Sequence, residues 1–72
     1  MAQAITHILE AMEDAERKAW DALSRYKFLM FGYHAAQWVN LRKLLLGSDQ
    51  RLPANPWRDV VSLARDWKEA NR

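Results

Sequence analysis

The chain has 72 residues, half of them hydrophobic, and it carries 11 lysines and arginines against 9 acidic residues, for a formal charge of +2. This size and composition exclude a multi-domain protein and a disordered tail, and they predict one small helical domain over residues 1–72. Cysteine is absent, which excludes disulfides, thiolate metal sites and thiol chemistry.

The first predicted element is a long helix over residues 3–46. There is no proline between Ala2 and Leu46, and the only glycine there is Gly32, so the composition allows a continuous helix. Glycine costs about 1 kcal/mol in a helix interior, so we expect any kink, or a division into a helix pair, near Gly32.

A loop is predicted over residues 47–55 and a shorter helix over residues 56–71. Gly47 stands where a left-handed residue commonly ends a helix. Asn55 and Pro56 indicate a new start, with asparagine at the N-cap and proline in the first helical position. The apolar residues that follow have the three-four spacing of a helix: Trp57, Val60, Val61, Ala64 and Trp67. No strand pattern competes, so the predicted fold class is all-α.

The middle of the chain is too apolar for one short helix to cover. Residues 28–41 contain only three strongly polar side chains, His34, Gln37 and Asn40, and a helix that is apolar all round must be buried all round. A chain of this size without disulfides also commonly gains stability from a partner subunit. We therefore expect a helical-bundle homo-oligomer, with interface residues Met30, Gly32, Ala35, Ala36, Gln37 and Asn40.

The same segment is the most basic part of the chain. Residues 25–46 hold four cations and no acid, with aromatic rings between the cations. Such groups hold nucleobases and phosphates, and they also dominate protein–protein hot spots. Two partners stay open: another protein, or an anionic small ligand such as a signalling nucleotide. For both, the predicted contacts are Arg25, Tyr26, Lys27, Tyr33, His34, Trp38, Arg42 and Lys43.

The sequence lacks recognisable catalytic, metal and duplex-DNA motifs. His34 has no carboxylate within a helical turn to orient it as a general base, and His7 with Glu10 lacks further metal ligands. Neither a glycine-rich phosphate loop nor helix-turn-helix spacing is present. We therefore expect a non-enzyme that uses no cofactor or metal and binds no duplex DNA. With no apolar run long enough for a membrane span and no secretory signal pattern, the expected location is the cytoplasm.

Part of the chain resembles small uncharacterised helical proteins encoded by bacteriophages and prophages. The resemblance is carried by residues 25–39, RYKFLMFGYHAAQWV, followed by Asn55-Pro56-Trp57, and it covers about half of the chain. It implies a context and no assigned activity, since small phage proteins without catalytic residues often occupy a host protein or sequester a signalling molecule. The expected function is a phage-encoded inhibitor that occludes a host protein in the host cytoplasm. The alternative is sequestration of an anionic small ligand at the basic aromatic segment.

Overall fold

The computed structural model describes residues 2–48 and 51–71, and within them the chain forms three helices and no strand. Helix α1 spans Ala2–Ser24, α2 spans Phe28–Lys43 and α3 spans Arg58–Ala70. The all-α prediction is confirmed. The single helix predicted over residues 3–46 is wrong, because the chain forms the alternative helix pair there.

The chain reverses direction at a three-residue turn between α1 and α2, and not at Gly32, which lies inside α2. The Lys27 N–H donates to the Ala22 carbonyl at 2.8 Å, and the Tyr26 N–H donates to the Leu23 carbonyl at 3.1 Å. These are the two bonds of a Schellman motif, which ends a helix with one residue in the left-handed conformation. That residue is Tyr26, with a φ of 60°. The turn contains no glycine, so its sequence gives no ordinary stop signal.

Helices α1 and α2 pack side by side as a helical hairpin. The buried contact surface of α1 is made mainly of small side chains, including Ala15 and Ala19, with Met12 beside them. Trp38 of α2 and Leu45 just beyond it complete the same buried cluster. Alanines allow two helix backbones to approach closely, so the large side chains of the second helix are covered by the first.

The connection after α2 is fastened to the hairpin. Helix α2 ends at Lys43, three residues before the predicted end at residue 46, and hydrogen bonds between residues three apart continue as turns to Leu46. Gly47, which follows these turns, takes the predicted left-handed conformation with a φ of 87°. Residues 49 and 50 of the predicted loop lie outside the described residues. Beyond them, the Arg42 Nε donates a hydrogen bond to the Pro53 carbonyl at 3.0 Å. This bond holds the loop against α2. Its donor, Arg42, is one of the predicted ligand contacts.

Trp57 anchors the start of α3 in an aromatic cluster. Its ring centroid lies 4.9 Å from that of Trp20, 5.5 Å from Phe31 and 6.2 Å from Trp38, and Trp57 is only 5% exposed. The Trp57 backbone N–H donates to the Asn55 Oδ1 at 2.8 Å, which is the capping bond expected of that asparagine. The point at which α3 leaves the hairpin is therefore fixed by packing.

Beyond Trp57, α3 projects away from the hairpin. It spans Arg58–Ala70 instead of the predicted 56–71, because residues 55–57 form the capping turn before it. Every residue from 61 to 70 is exposed. The chain measures 47 × 25 × 13 Å with a radius of gyration of 14.2 Å, whereas a compact domain of this length has a radius of about 11 Å. The described chain is a flat hairpin with an uncovered third helix.

Candidate functional site

A cleft of about 600 Å³ opens between α1 and α2 close to their turn. We call it the turn cleft. Cations reach it from both sides, Arg17 and Lys18 from α1 and Lys27 from the turn, and Asp21 is the only acid in its lining. The remaining lining residues are Ala22, Met30 and His34. This combination of cations with small apolar groups suits an anion that carries an apolar part.

The α1 cations of the turn cleft are partly engaged already. The Asp14 carboxylate pairs with Lys18 at 2.8 Å and also with Arg17. The hydrogen bond from Lys18 and the weaker effect of the one from Arg17 lower the pKa of Asp14 below its ordinary value of 3.8. Asp21 pairs with Arg25 at 3.5 Å. All five groups are well exposed, so the pairs contribute little to stability, and lysine and arginine keep further donors for another anion.

His34 shares the turn cleft with Asp21, a juxtaposition that only the hairpin creates. No hydrogen bond joins the two side chains in the described part of the chain, and the Asp21 carboxylate faces Arg25 instead. The Nδ1 atom of His34 is buried there without a hydrogen-bond partner, and the Tyr33 ring lies edge-on at 5.2 Å from the imidazole. The turn cleft thus offers binding groups but no carboxylate that orients a general base.

A second depression, of about 440 Å³, lies on the side of α2 that faces away from α1. We call it the outer groove. Its lining mixes apolar and amide side chains: Tyr33, Ala36, Gln37, Asn40, Leu41 and Leu44. At about 100° per residue these positions centre on the opposite side of the helix from Phe31 and Trp38, which pack in the aromatic cluster. The outer groove is therefore a surface that the hairpin leaves uncovered.

Helix α3 adds a third uncovered surface. Its apolar residues occupy one half of the helix circumference and form what we call the apolar face of α3: Val60, Val61, Leu63, Ala64 and Trp67. Leu63 is 70% exposed and Trp67 is 68% exposed. Soluble monomers rarely leave a continuous apolar face in water unless it is an interaction site.

Comparisons with known proteins assign no family to this chain. No protein family, curated protein or solved structure matches it. Within residues 2–48 and 51–71, no three His, Cys, Asp or Glu side chains converge as metal ligands would. None of the helices described there is long and apolar enough to cross a bilayer.

The predicted ligand contacts fall on both the surface and the core. Five of them lie on the hairpin surface at or beside the two depressions: Arg25, Tyr26, Lys27, Tyr33 and His34. Trp38 is 2% exposed, so its prediction as a contact is wrong, because it belongs to the aromatic cluster. Arg42 is partly buried and holds the Pro53 carbonyl, so it supports the fold instead. Lys43 is exposed, but it lies at the far end of α2 from the turn cleft.

The predicted interface residues are divided in the same way. Ala36, Gln37 and Asn40 line the outer groove, whereas Met30 lines the turn cleft. Ala35 is half-buried and packs against the core, and its place in an interface stays a prediction. Gly32 is exposed, and a Cβ atom added there would have no atom within 4 Å beyond its own stretch of helix.

Sequence reasoning missed Arg17 and Lys18 of the turn cleft and the contact of Trp20 with Trp57. A continuous helix would carry these α1 residues away from Lys27, and only the hairpin brings them back beside it. The available signal was the series of alanines along α1, which favours a closely packed helix partner.

Proposed function

We propose that this chain is a non-enzymatic binding protein that self-associates through its uncovered apolar helix faces. The observation that carries the proposal is the amount of exposed surface. The chain exposes 6045 Å², whereas a compact monomer of 8.5 kDa exposes about 4,650 Å². The excess of roughly 1,400 Å² is larger than the roughly 800 Å² that each partner buries in a standard interface.

The chemistry of this surface supports the same proposal. Large apolar side chains remain exposed along α2 and α3, among them Phe28, Leu29, Tyr33, Leu63 and Trp67. Burial of such side chains drives association at about 25 cal/mol for each Å² removed from water. The depressions on the hairpin present cations, amides and rings, which are binding groups, and no nucleophile beside an oriented base.

Sedimentation equilibrium at micromolar concentration tests the proposal. We expect the unaltered chain to be larger than 8.5 kDa, and Leu63→Lys to shift it toward the monomer, because the substitution places a charge in the apolar face of α3. The matched control is Ser62→Lys, which adds the same charge on the polar side of α3. A clean monomer for the unaltered chain, or equal effects of the two variants, would contradict the proposal.

The resemblance to phage proteins extends the proposal to an inhibitor that occludes a host protein with these same faces. The exposed ring of Tyr33 is the natural anchor, since aromatic side chains dominate interface energetics. For any candidate host protein, we expect Tyr33→Ala to weaken binding strongly while added salt weakens it only mildly. If the Tyr33→Ala chain bound the host protein with unchanged affinity, the outer groove would be excluded as the binding surface.

A second candidate function, sequestration of an anionic small ligand, is favoured by the turn cleft, where cations of α1 and of the turn after it converge. A ligand at 100 times its dissociation constant stabilises the folded chain by about 2.7 kcal/mol, so thermal melts with inorganic phosphate and adenosine monophosphate are the direct test. We expect the double variant Lys18→Gln/Lys27→Gln to abolish the shift and the control Lys43→Gln/Arg51→Gln to preserve it. Equal losses would indicate non-specific charge attraction and exclude the turn cleft as the site.

A further inference from the structure

Helix α3 is too short to explain its own stability. It has 13 residues, and isolated helices below about 12–15 residues are marginal in water, because helices in proteins are held mainly by packing of an amphipathic face. The apolar face of α3 is nearly all exposed, and among the described helices only α1 and α2 pack against each other. A stable α3 therefore requires a cover from outside its own chain.

The charges of α3 favour a protein over a membrane as that cover. It carries three cations, Arg58, Arg65 and Lys68, and three acids, Asp59, Asp66 and Glu69, which leaves no net charge, and all of these except Lys68 lie on its polar side. Helices that lie on anionic membranes instead carry an excess of lysine and arginine on the polar side. The acids of α3 also suit α2, which has the exposed Lys43 in its last turn and no acid in its sequence.

The outer groove has the length and the lining to accept α3. At 1.5 Å per residue, the groove runs about 17 Å from Tyr33 to Leu44, and α3 is about 20 Å long. Ala36 provides a small side chain in the groove that lets a second helix approach closely, and the leucine and tyrosine at its two ends provide apolar contact. Amides of Gln37 and Asn40 can meet the polar edge of a docked helix.

The α3 of the same chain is held away from this groove. Trp57, the residue before α3, is buried against Trp38 and Phe31, and those two rings lie on the opposite side of α2 from the outer groove. Docking within one chain would require Trp57 to leave the aromatic cluster. A second copy meets no such restriction.

We propose that α3 of one copy packs with its apolar face in the outer groove of a second copy, and reciprocally, in a closed two-fold dimer. This inference rests on the proposed self-association and names its interface. Because the two contacts are equivalent, one symmetric pairing fills both grooves and covers both helices. The excess surface of roughly 1,400 Å² per chain is enough for such an interface, which needs roughly 800 Å² from each partner.

Disulfide trapping tests the interface, because the chain has no cysteine of its own. We would mix the Ala36→Cys chain with the Ala64→Cys chain, one of the two carrying a tag, and oxidise the mixture gently. We expect the mixed disulfide to form roughly tenfold faster than for Ala36→Cys mixed with Ser62→Cys, since a disulfide needs Cα atoms within about 7 Å and Ser62 lies on the other side of α3. Circular dichroism checks that each variant stays folded, and Gln37→Cys with Leu63→Cys is the substitute pair.

The outcomes separate the interface from the proposed function. Preferred trapping of Ala36→Cys with Ala64→Cys supports the reciprocal dimer. Equal trapping with both partners, in a chain that sediments as a dimer, overturns this interface and leaves self-association standing. A monomer at micromolar concentration overturns both. Co-sedimentation of the chain with phosphatidylglycerol vesicles that is lost in Leu63→Lys would show that a lipid surface covers α3 instead.

Discussion

Replacing Tyr26 by glycine should stabilise the protein, although it removes an aromatic side chain. Tyr26 holds a φ of 60°, a conformation that costs a non-glycine residue roughly 1–2 kcal/mol. Glycine relieves this cost but loses about 0.5–1 kcal/mol through its greater freedom in the unfolded chain. The ring of Tyr26 is 80% exposed, and the ring that it contacts, that of Phe28 at 6.2 Å between centroids, is exposed as well, so its loss subtracts little. We expect a net gain of roughly 0.5–1 kcal/mol.

Thermal unfolding followed by circular dichroism, at matched chain concentration, measures this gain. A domain of this size shifts its Tm by about 4–8 °C for each kcal/mol, so Tyr26→Gly should melt about 2–8 °C higher. Tyr26→Ala loses the same ring but keeps the strained conformation, and it should not gain stability. Arg25→Gly, one residue earlier and without positive φ, should lose about 0.5–1 kcal/mol. A Tyr26→Gly chain that melts no higher than Tyr26→Ala would refute the assignment of the strain to this backbone position.

Three further predictions concern the attachment of α3 to the hairpin and the charge pairs of α1. In the Leu63→Lys chain, which is expected to be monomeric, Trp57→Ala should lower the free energy of unfolding by denaturant by about 3–5 kcal/mol, because it empties the aromatic cluster. Trp67→Ala in the same chain should barely change that free energy, and similar losses would contradict the burial of Trp57. Asn55→Ala should lower the free energy of unfolding by about 1 kcal/mol in the same assay, because it removes the acceptor of the Trp57 N–H. An unchanged free energy of unfolding would show that this capping bond does not stabilise the fold. The Asp14 carboxyl carbon should titrate below 3.8 by NMR, because Lys18 binds its charged form. The stability from that pair is present above the unfolded carboxyl's pKa and is lost as pH falls through the lower folded pKa; a titration at or above 3.8 would exclude the pairing.

The helical class and the left-handed conformation of Gly47 could be predicted because they follow from local rules. Helix-forming composition, a left-handed glycine and an asparagine cap act within a few residues of the chain. The break between α1 and α2 could not be predicted in the same way. It places a tyrosine where glycine is the common residue, and tertiary packing of the alanines of α1 against α2 outweighs that local cost. Gly32, the locally weakest position, stays helical because nothing in the packing requires a turn there.

The candidate site was predictable only where it lies on one helix. Tyr33, Ala36, Gln37 and Asn40 of the outer groove all lie on α2, so sequence spacing alone could place them near one another. Arg17 and Lys18 join Lys27 only through the hairpin, and no spacing rule in the sequence connects them. Trp38 and Arg42 were misjudged for a related reason. Aromatic and cationic side chains in a sequence indicate binding, but the sequence does not show whether they bind a ligand or another part of the same chain.

The separation of the aromatic cluster from α3 gives the protein two independent optical signals. Three of its four tryptophans meet in the cluster, where rings in mutual contact produce a near-ultraviolet dichroism that depends on a closed hairpin. The fourth, Trp67, lies on α3 and is exposed to water. The wavelength of its fluorescence maximum changes when another surface replaces that water. Subtracting the fluorescence spectrum of a Trp67→Phe chain from that of the unaltered chain therefore isolates α3. Through that difference, the surroundings of one helix can be followed in solution without attaching any dye.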